Sequence, residues 1–187
     1  TYIELMDKTN YLNHYYFVTL VLFLMMWLPA HANFSIDAMR KPRIAARFIP
    51  QWTLGSIRLM MGIVYVYAGL AKLNSDWLVE AMPLRLWLPA KNDLPLFGPM
   101  FSQLWVAYFF SWFGALYDLT IPFFLLNRKT RPYAYTTVII FHVLTSILFP
   151  IGMFPYIMIV SALIVFDSAD LDAFLIRIKR FSSSLPV

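Results

Sequence analysis

The chain has 187 residues, of which 60% are apolar and only 13% charged, with a formal net charge of +5. A water-soluble domain carries about a quarter charged residues to cover its outer surface. A mean hydropathy of +0.65 over the whole length excludes that arrangement and points to a membrane protein. No cysteine is present, so disulfides play no part.

Five apolar runs follow one another along the chain, at residues 15–32, 52–73, 104–126, 133–149 and 154–166. Each is rich enough in Leu, Ile, Val, Phe and Met to sit in hydrocarbon, and a span needs about 20 such residues. The expected fold is all-α: a polytopic transmembrane helical bundle of about five spans plus short interfacial helices. The fifth run is short, and Pro150-Ile151-Gly152-Met153 before it forms a tight turn, so the last two runs are expected to make an antiparallel hairpin. Segments 77–89 and 171–181 mix Trp, Leu, Ile and Phe with charged residues and are too short to span. Both suit helices lying in the headgroup region.

The basic residues have a direction. Arg40, Lys41, Arg43 and Arg47 follow the first run, Arg128, Lys129 and Arg131 follow the third, and Arg177, Lys179 and Arg180 follow the fifth. If every run spans, these clusters share one side. The other side carries Lys8, Lys72, Arg85 and Lys91. The positive-inside rule makes the first side cytoplasmic, C-terminus included. The protein is therefore expected to be an integral, multi-pass membrane protein whose long loop after the second run faces the lumen or periplasm. Its positive charge needs no nucleic acid, and its surrounding partner is membrane lipid.

Ionisable groups at membrane depth are costly, which makes them functional candidates. Arg58 and Lys72 lie on the second run, Asp118 on the third and His142 on the fourth, with Thr145 and Ser146 one turn on. Asn13 and His14 stand just before the first run. Arg58, Tyr65 and Lys72 recur every seven residues and share a helix face, beside a stripe of Gly55, Gly62 and Gly69. The stripe reads as close helix packing, or as room beside a polar face that looks into a cavity. Lys72, at the outer end, reads as an interface lysine with a snorkelling side chain. Asp118 is expected to form a structural ion pair with Arg58, since a lone carboxylate at that depth would be expensive. No metal site, nucleotide loop or nucleophile motif is present.

A resemblance covers most of the chain. Met6-Asp7-Lys8-Thr9, followed by Asn13-His14-Tyr15, is similar to a segment of the vitamin K-dependent gamma-glutamyl carboxylases. So are Ile63-Val64-Tyr65 through Ala68-Gly69-Leu70-Ala71-Lys72-Leu73 with Asp76-Trp77, and Leu116-Tyr117-Asp118-Leu119. Phe141-His142, Ser146, Leu148-Phe149, Ile151-Gly152-Met153-Phe154 and Tyr156 complete the series in the family's order. The wider group is the HTTM membrane-domain family. The resemblance implies that the chain is one HTTM-like transmembrane domain, residues 1–187, without the family's first spans and large lumenal region.

It also implies a chemistry. Reduced vitamin K, a naphthohydroquinone, is deprotonated by a lysine and reacts with oxygen. The strong base so formed takes a γ-proton from a glutamate side chain, carbon dioxide adds, and the quinone leaves as its epoxide. Lys72 maps onto the essential lysine, with His142 as the second catalytic group. Asn13, His14, Tyr65, Thr145 and Ser146 are the expected contacts to the quinone. The implied partner is a glutamate-containing protein on the non-cytoplasmic side. Two departures stand out: Ala71 replaces the first of two adjacent lysines, and Thr145 replaces an asparagine. The competing expectation is a non-catalytic HTTM-fold subunit that holds a quinone, lipid or pigment among the other subunits of a larger complex.

Overall fold

The computed structural model describes residues 13–32, 35–46, 48–95, 97–167 and 170, with side chains from residue 15 onward. All regular structure among them is helical. The chain runs through α1 (Asn13–Trp27), α2 (Ile36–Arg40), α3 (Gln51–Ala71), α4 (Ser75–Leu78), α5 (Met82–Trp87), α6 (Leu104–Leu126), α7 (Arg131–Leu148) and α8 (Phe154–Ser161). A 3-10 turn, Ala162–Val165, continues α8.

Two helices, α3 and α6, are long and apolar enough to cross a membrane. The apolar segments of α1 and α8 with its 3-10 turn are shorter, at Tyr15–Trp27 and Phe154–Val165. Only 17% of the most apolar window of α3, and 44% of that of α6, is covered by the rest of the chain. A core helix of a soluble protein would be mostly covered. Leu59, Ile63, Tyr67 and Leu70 on α3 and Phe109, Trp112, Leu116 and Phe123 on α6 all face outward. Exposed side chains of this kind suit a lipid surround.

The α3–α6 contact is the most extensive between any two elements. The two helices run antiparallel, so that Gly69 meets Leu119 and Lys72 meets Asp118. The glycine stripe divides into two kinds. A Cβ on Gly69 would lie 2.6 Å from Leu119 Cγ and 3.0 Å from the Leu119 backbone nitrogen, whereas Gly55 and Gly62 face open space. Close approach therefore explains Gly69 alone. The hairpin expected at the end of the chain forms: α7 packs on α8 across a turn in which Gly152 takes a φ of +61°. Segment 77–89 folds into α4 and α5, while segment 171–181 lies outside the described residues.

The buried side chains form two clusters. One joins α1, α3, α6, α7 and α8 through Phe17, Met61, Tyr65, Ile121, Val138 and Met158. The other packs α5, α6 and the end of α7 through Leu84, Leu88, Val106, Ala107 and Leu148.

Two arginines close the end of the bundle away from Lys72. Arg131 Nε donates to Leu125 O at 3.1 Å, at the end of α6. Arg58 Nε donates to Ile164 O at 2.9 Å, and its Nη2 to Val165 O at 3.3 Å, at the end of the α8 unit. Helix C-termini carry unpaired carbonyls and a partial negative charge, which a guanidinium satisfies. Asp167 lies 3.5 Å from Arg58 and 3.4 Å from Arg131, and Asp170 is 3.5 Å from both Arg128 and Arg131. The expected Arg58–Asp118 pair is thereby corrected. Arg58 stands fourteen residues before Lys72, about 21 Å along α3, and the antiparallel register sets Asp118 opposite the other end.

Desolvation works to raise the Asp167 carboxyl. The hydrogen bond from Arg131 and the charges of Arg131, Arg58 and Arg128 outweigh it and hold that carboxyl below its usual range. A lowered carboxyl adds stability above its unfolded value and loses it as pH falls through the folded one. Thermal stability in micelles is therefore expected to fall below about pH 4, and less so in Asp167→Asn. The glycines give a sharper contrast. Gly69→Ala is expected to cost about 1–3 kcal/mol through overpacking, while Gly55→Ala and Gly62→Ala gain up to about 1 kcal/mol in helix propensity. Denaturant titration of the three variants in one detergent checks this.

Candidate functional site

A cavity of about 520 Å³ opens between α3, α6 and α7, with α4, α5 and α8 closing its ends. Its size is typical of small-molecule sites. The walls are apolar and aromatic, including Trp87, Phe110, Phe113, Phe141, Phe149 and Phe154. Polar side chains enter at two main places.

The first is Lys72, the residue that ends α3. Its Nζ donates to Asp118 Oδ2 at 2.5 Å and to Ala68 O at 3.2 Å. The Asp118 side chain is 8% exposed and that of Lys72 21%. The amine also lies 5.3 Å from the centre of the Trp77 ring, within range of a cation–π contact. Lys72 thus turns inward and does not extend to the interface as a snorkelling lysine would.

Trp77 is held by hydrogen bonds from α6. Its Nε1 donates to Ser111 O at 2.9 Å, and Ser111 Oγ donates back to Trp77 O. Trp112 Nε1 and Tyr108 Oη donate to Leu78 O and Val79 O at 3.0 and 2.8 Å. These bonds satisfy the carbonyls of a helix only four residues long, so α4 is anchored as a wall of the site. Four residues beyond Asp118, Pro122 lies inside α6. It has no N–H to offer the Asp118 carbonyl, which loosens the helical ladder at the site.

The second polar place is Tyr65, 2% exposed, whose hydroxyl lies 3.1 Å from His142 Nε2. Tyr117 stacks on Phe141 with ring centres 3.9 Å apart and meets Tyr65 edge-on at 6.1 Å. The buried Tyr117 hydroxyl has no partner in hydrogen-bonding geometry among the described residues. Thr145 also lines the cavity, its hydroxyl donating to His142 O at 2.9 Å.

Lys72, Tyr65, His142 and Thr145 are therefore brought to one cavity, with Asp118 joined to Lys72. Ser146 stays outside it, and its hydroxyl donates to Val143 O at 2.7 Å. Arg58 is also elsewhere, tied to the α8 end. Asn13 and His14 open α1, but their side chains lie outside the described residues. The sequence places Trp77 in an interfacial segment and Asp118 opposite Arg58; the structure sets the Trp77 ring beside Lys72 and pairs Asp118 with Lys72. The Asp76-Trp77 pair four residues after Lys72 was the available signal for the first. Among the described residues no cluster of His, Asp or Glu could hold a metal ion.

The cavity fits a flat apolar ring bearing hydroxyl or carbonyl oxygens. Aromatic walls would take the ring faces, and the Lys72–Asp118 and Tyr65–His142 pairs would meet the oxygens.

The model of the HTTM domain, a membrane domain family, matches residues 1–170. No solved structure matches the chain.

The Lys72–Asp118 pair also serves stability. Removing one partner strands a buried charge, so Lys72→Met is expected to cost about 3 kcal/mol. Lys72→Met combined with Asp118→Leu should recover most of it, and denaturant unfolding of single and double variants in micelles measures the coupling.

Proposed function

The chain belongs to the HTTM domain family, and on that premise we propose that it is a membrane-embedded quinol oxygenase of the vitamin K-dependent gamma-carboxylase type. The observation that carries the reading is the convergence of Lys72, Tyr65, His142 and Thr145, from two distant stretches of sequence, on one aromatic cavity. The five apolar runs then form a multi-pass bundle with basic loops and C-terminus in the cytoplasm. Lys72 and the cavity mouth face the lumen or periplasm.

The bound quinol supplies a reduced ring that, with oxygen, yields the base for removing a glutamate γ-proton and adding carbon dioxide. The chain's own residues prepare that chemistry. Lys72 Nζ, once free of its extra proton, accepts one from a hydroxyl held beside it. Tyr65 and His142 hold a second polar position with a shared hydrogen bond. Phe113, Phe141 and Trp87 exclude water from the space between. A glutamate-bearing protein substrate would approach from the lumenal side.

The closeness of Asp118 to Lys72 favours a second reading, in which the pair is only structural. The domain then holds a quinone, lipid or pigment without chemistry, within a larger membrane complex. One assay separates the two. Full-length protein in nanodiscs is given a reduced naphthoquinone and oxygen, and epoxide is measured by chromatography. Wild type is expected to form it, and Lys72→Ala to be slower by about 100-fold or more. No epoxide from wild type, or an unchanged rate in the variant, sinks the catalytic reading.

A further inference from the structure

We infer that Asp118 is the positioning residue of the site: it draws Lys72 into the cavity and takes up the amine's extra proton. This rests on the reading of Lys72 as the base. The geometry supplies the reasons. Asp118 Oδ2 lies 2.5 Å from Lys72 Nζ, with the carboxylate almost wholly buried. Arg58, the other cation of α3, is committed to Asp167 and to the carbonyls that end the α8 unit. The remaining ionisable side chains that line the cavity are Tyr65 from α3 and His142 from α7, with Tyr117 packed behind Tyr65 from α6. Those two phenols and the imidazole bring no competing carboxylate to the amine. Lysine on a long flexible stem at a helix end otherwise extends toward water. The carboxylate and the Trp77 ring, 5.3 Å away, oppose that.

The proton balance is simple. An N–H bond of the Lys72 ammonium breaks and an O–H bond forms on Asp118. Both side chains become neutral, and no charge leaves the low-dielectric site. The amine lone pair then accepts a proton from a hydroxyl in the cavity. The new positive charge on Lys72 remains beside the oxygen that gave the proton.

The test uses full-length protein in nanodiscs and two readouts. The first is labelling by trinitrobenzenesulfonate, read residue by residue by mass spectrometry, with exposed Lys129 as internal reference. Wild-type Lys72 is expected to label about tenfold more slowly than Lys129, and in Asp118→Asn to come within about twofold of it. The second is the pH profile of epoxide formation. Asp118→Asn is expected to fall about 100-fold at neutral pH and to climb about tenfold per pH unit, because solvent must now take the proton. A purely structural role would lower the whole profile without changing its slope. Unchanged protection of Lys72 in Asp118→Asn overturns the inference, as does a profile parallel to wild type. If Asp118→Asn does not fold, Asp118→Glu decides: slow labelling supports the inference, and labelling at the Lys129 rate overturns it. If wild type forms no epoxide, the catalytic reading fails while the labelling arm still judges the placement of Lys72.

Discussion

Between α3 and α6 an amine and a carboxylate meet at 2.5 Å, on helices brought together by a glycine with no room for a Cβ. Opposite charges in a low-dielectric setting attract strongly, but each also gives up its hydration. The pair is tolerable because both partners are engaged: Lys72 also donates to Ala68 O and lies near the Trp77 ring, and Asp118 accepts from Lys72. Its position makes it the reference for the whole bundle. It ties the end of α3 to the middle of α6 and leaves its polar atoms at the wall of a cavity that is otherwise aromatic and aliphatic.

The opposite end of the bundle follows a similar rule by different means. There Arg58 and Arg131 satisfy the carbonyls that end the α8 unit and α6, and Asp167 and Asp170 balance their charge. These groups hold α3 to the end of the α8 unit, and the end of α6 to the start of α7, without entering the cavity. Among the described residues the ion pairs thus lie in two places, one at the helix ends and partly exposed, the other buried beside the aromatic cavity. The second is the place proposed above to handle protons out of water.

Much of the site could be read from the residues. Tyr65 and Lys72 share a helix face through their seven-residue spacing, and His142 lies on an apolar run where an imidazole is expensive. Thr145, three residues beyond His142, reaches the cavity, whereas Ser146, one residue further, turns away. A step of one residue rotates a side chain by about 100° around a helix, so neighbouring hydroxyls end on different faces. Sequence similarity alone could not separate them. The glycine stripe shows the same limit. Three equally spaced glycines suggest one seam, but only Gly69 lies where the partner backbone comes close.

The sequence by itself determined that this chain is helical and built for a membrane. Apolar composition, run length and the rarity of charge are local properties that do not depend on which helix touches which. It also singled out the costly residues, because the expense of a buried lysine, aspartate or histidine holds whatever its neighbours. Only the tertiary structure decided how those residues pair. The register of α3 against α6 placed Asp118 beside Lys72 and left Arg58 about 21 Å away, to be satisfied by helix ends and Asp167. Register comes from packing between surfaces distant in sequence, such as Gly69 against Leu119, and no spacing within a single helix encodes it.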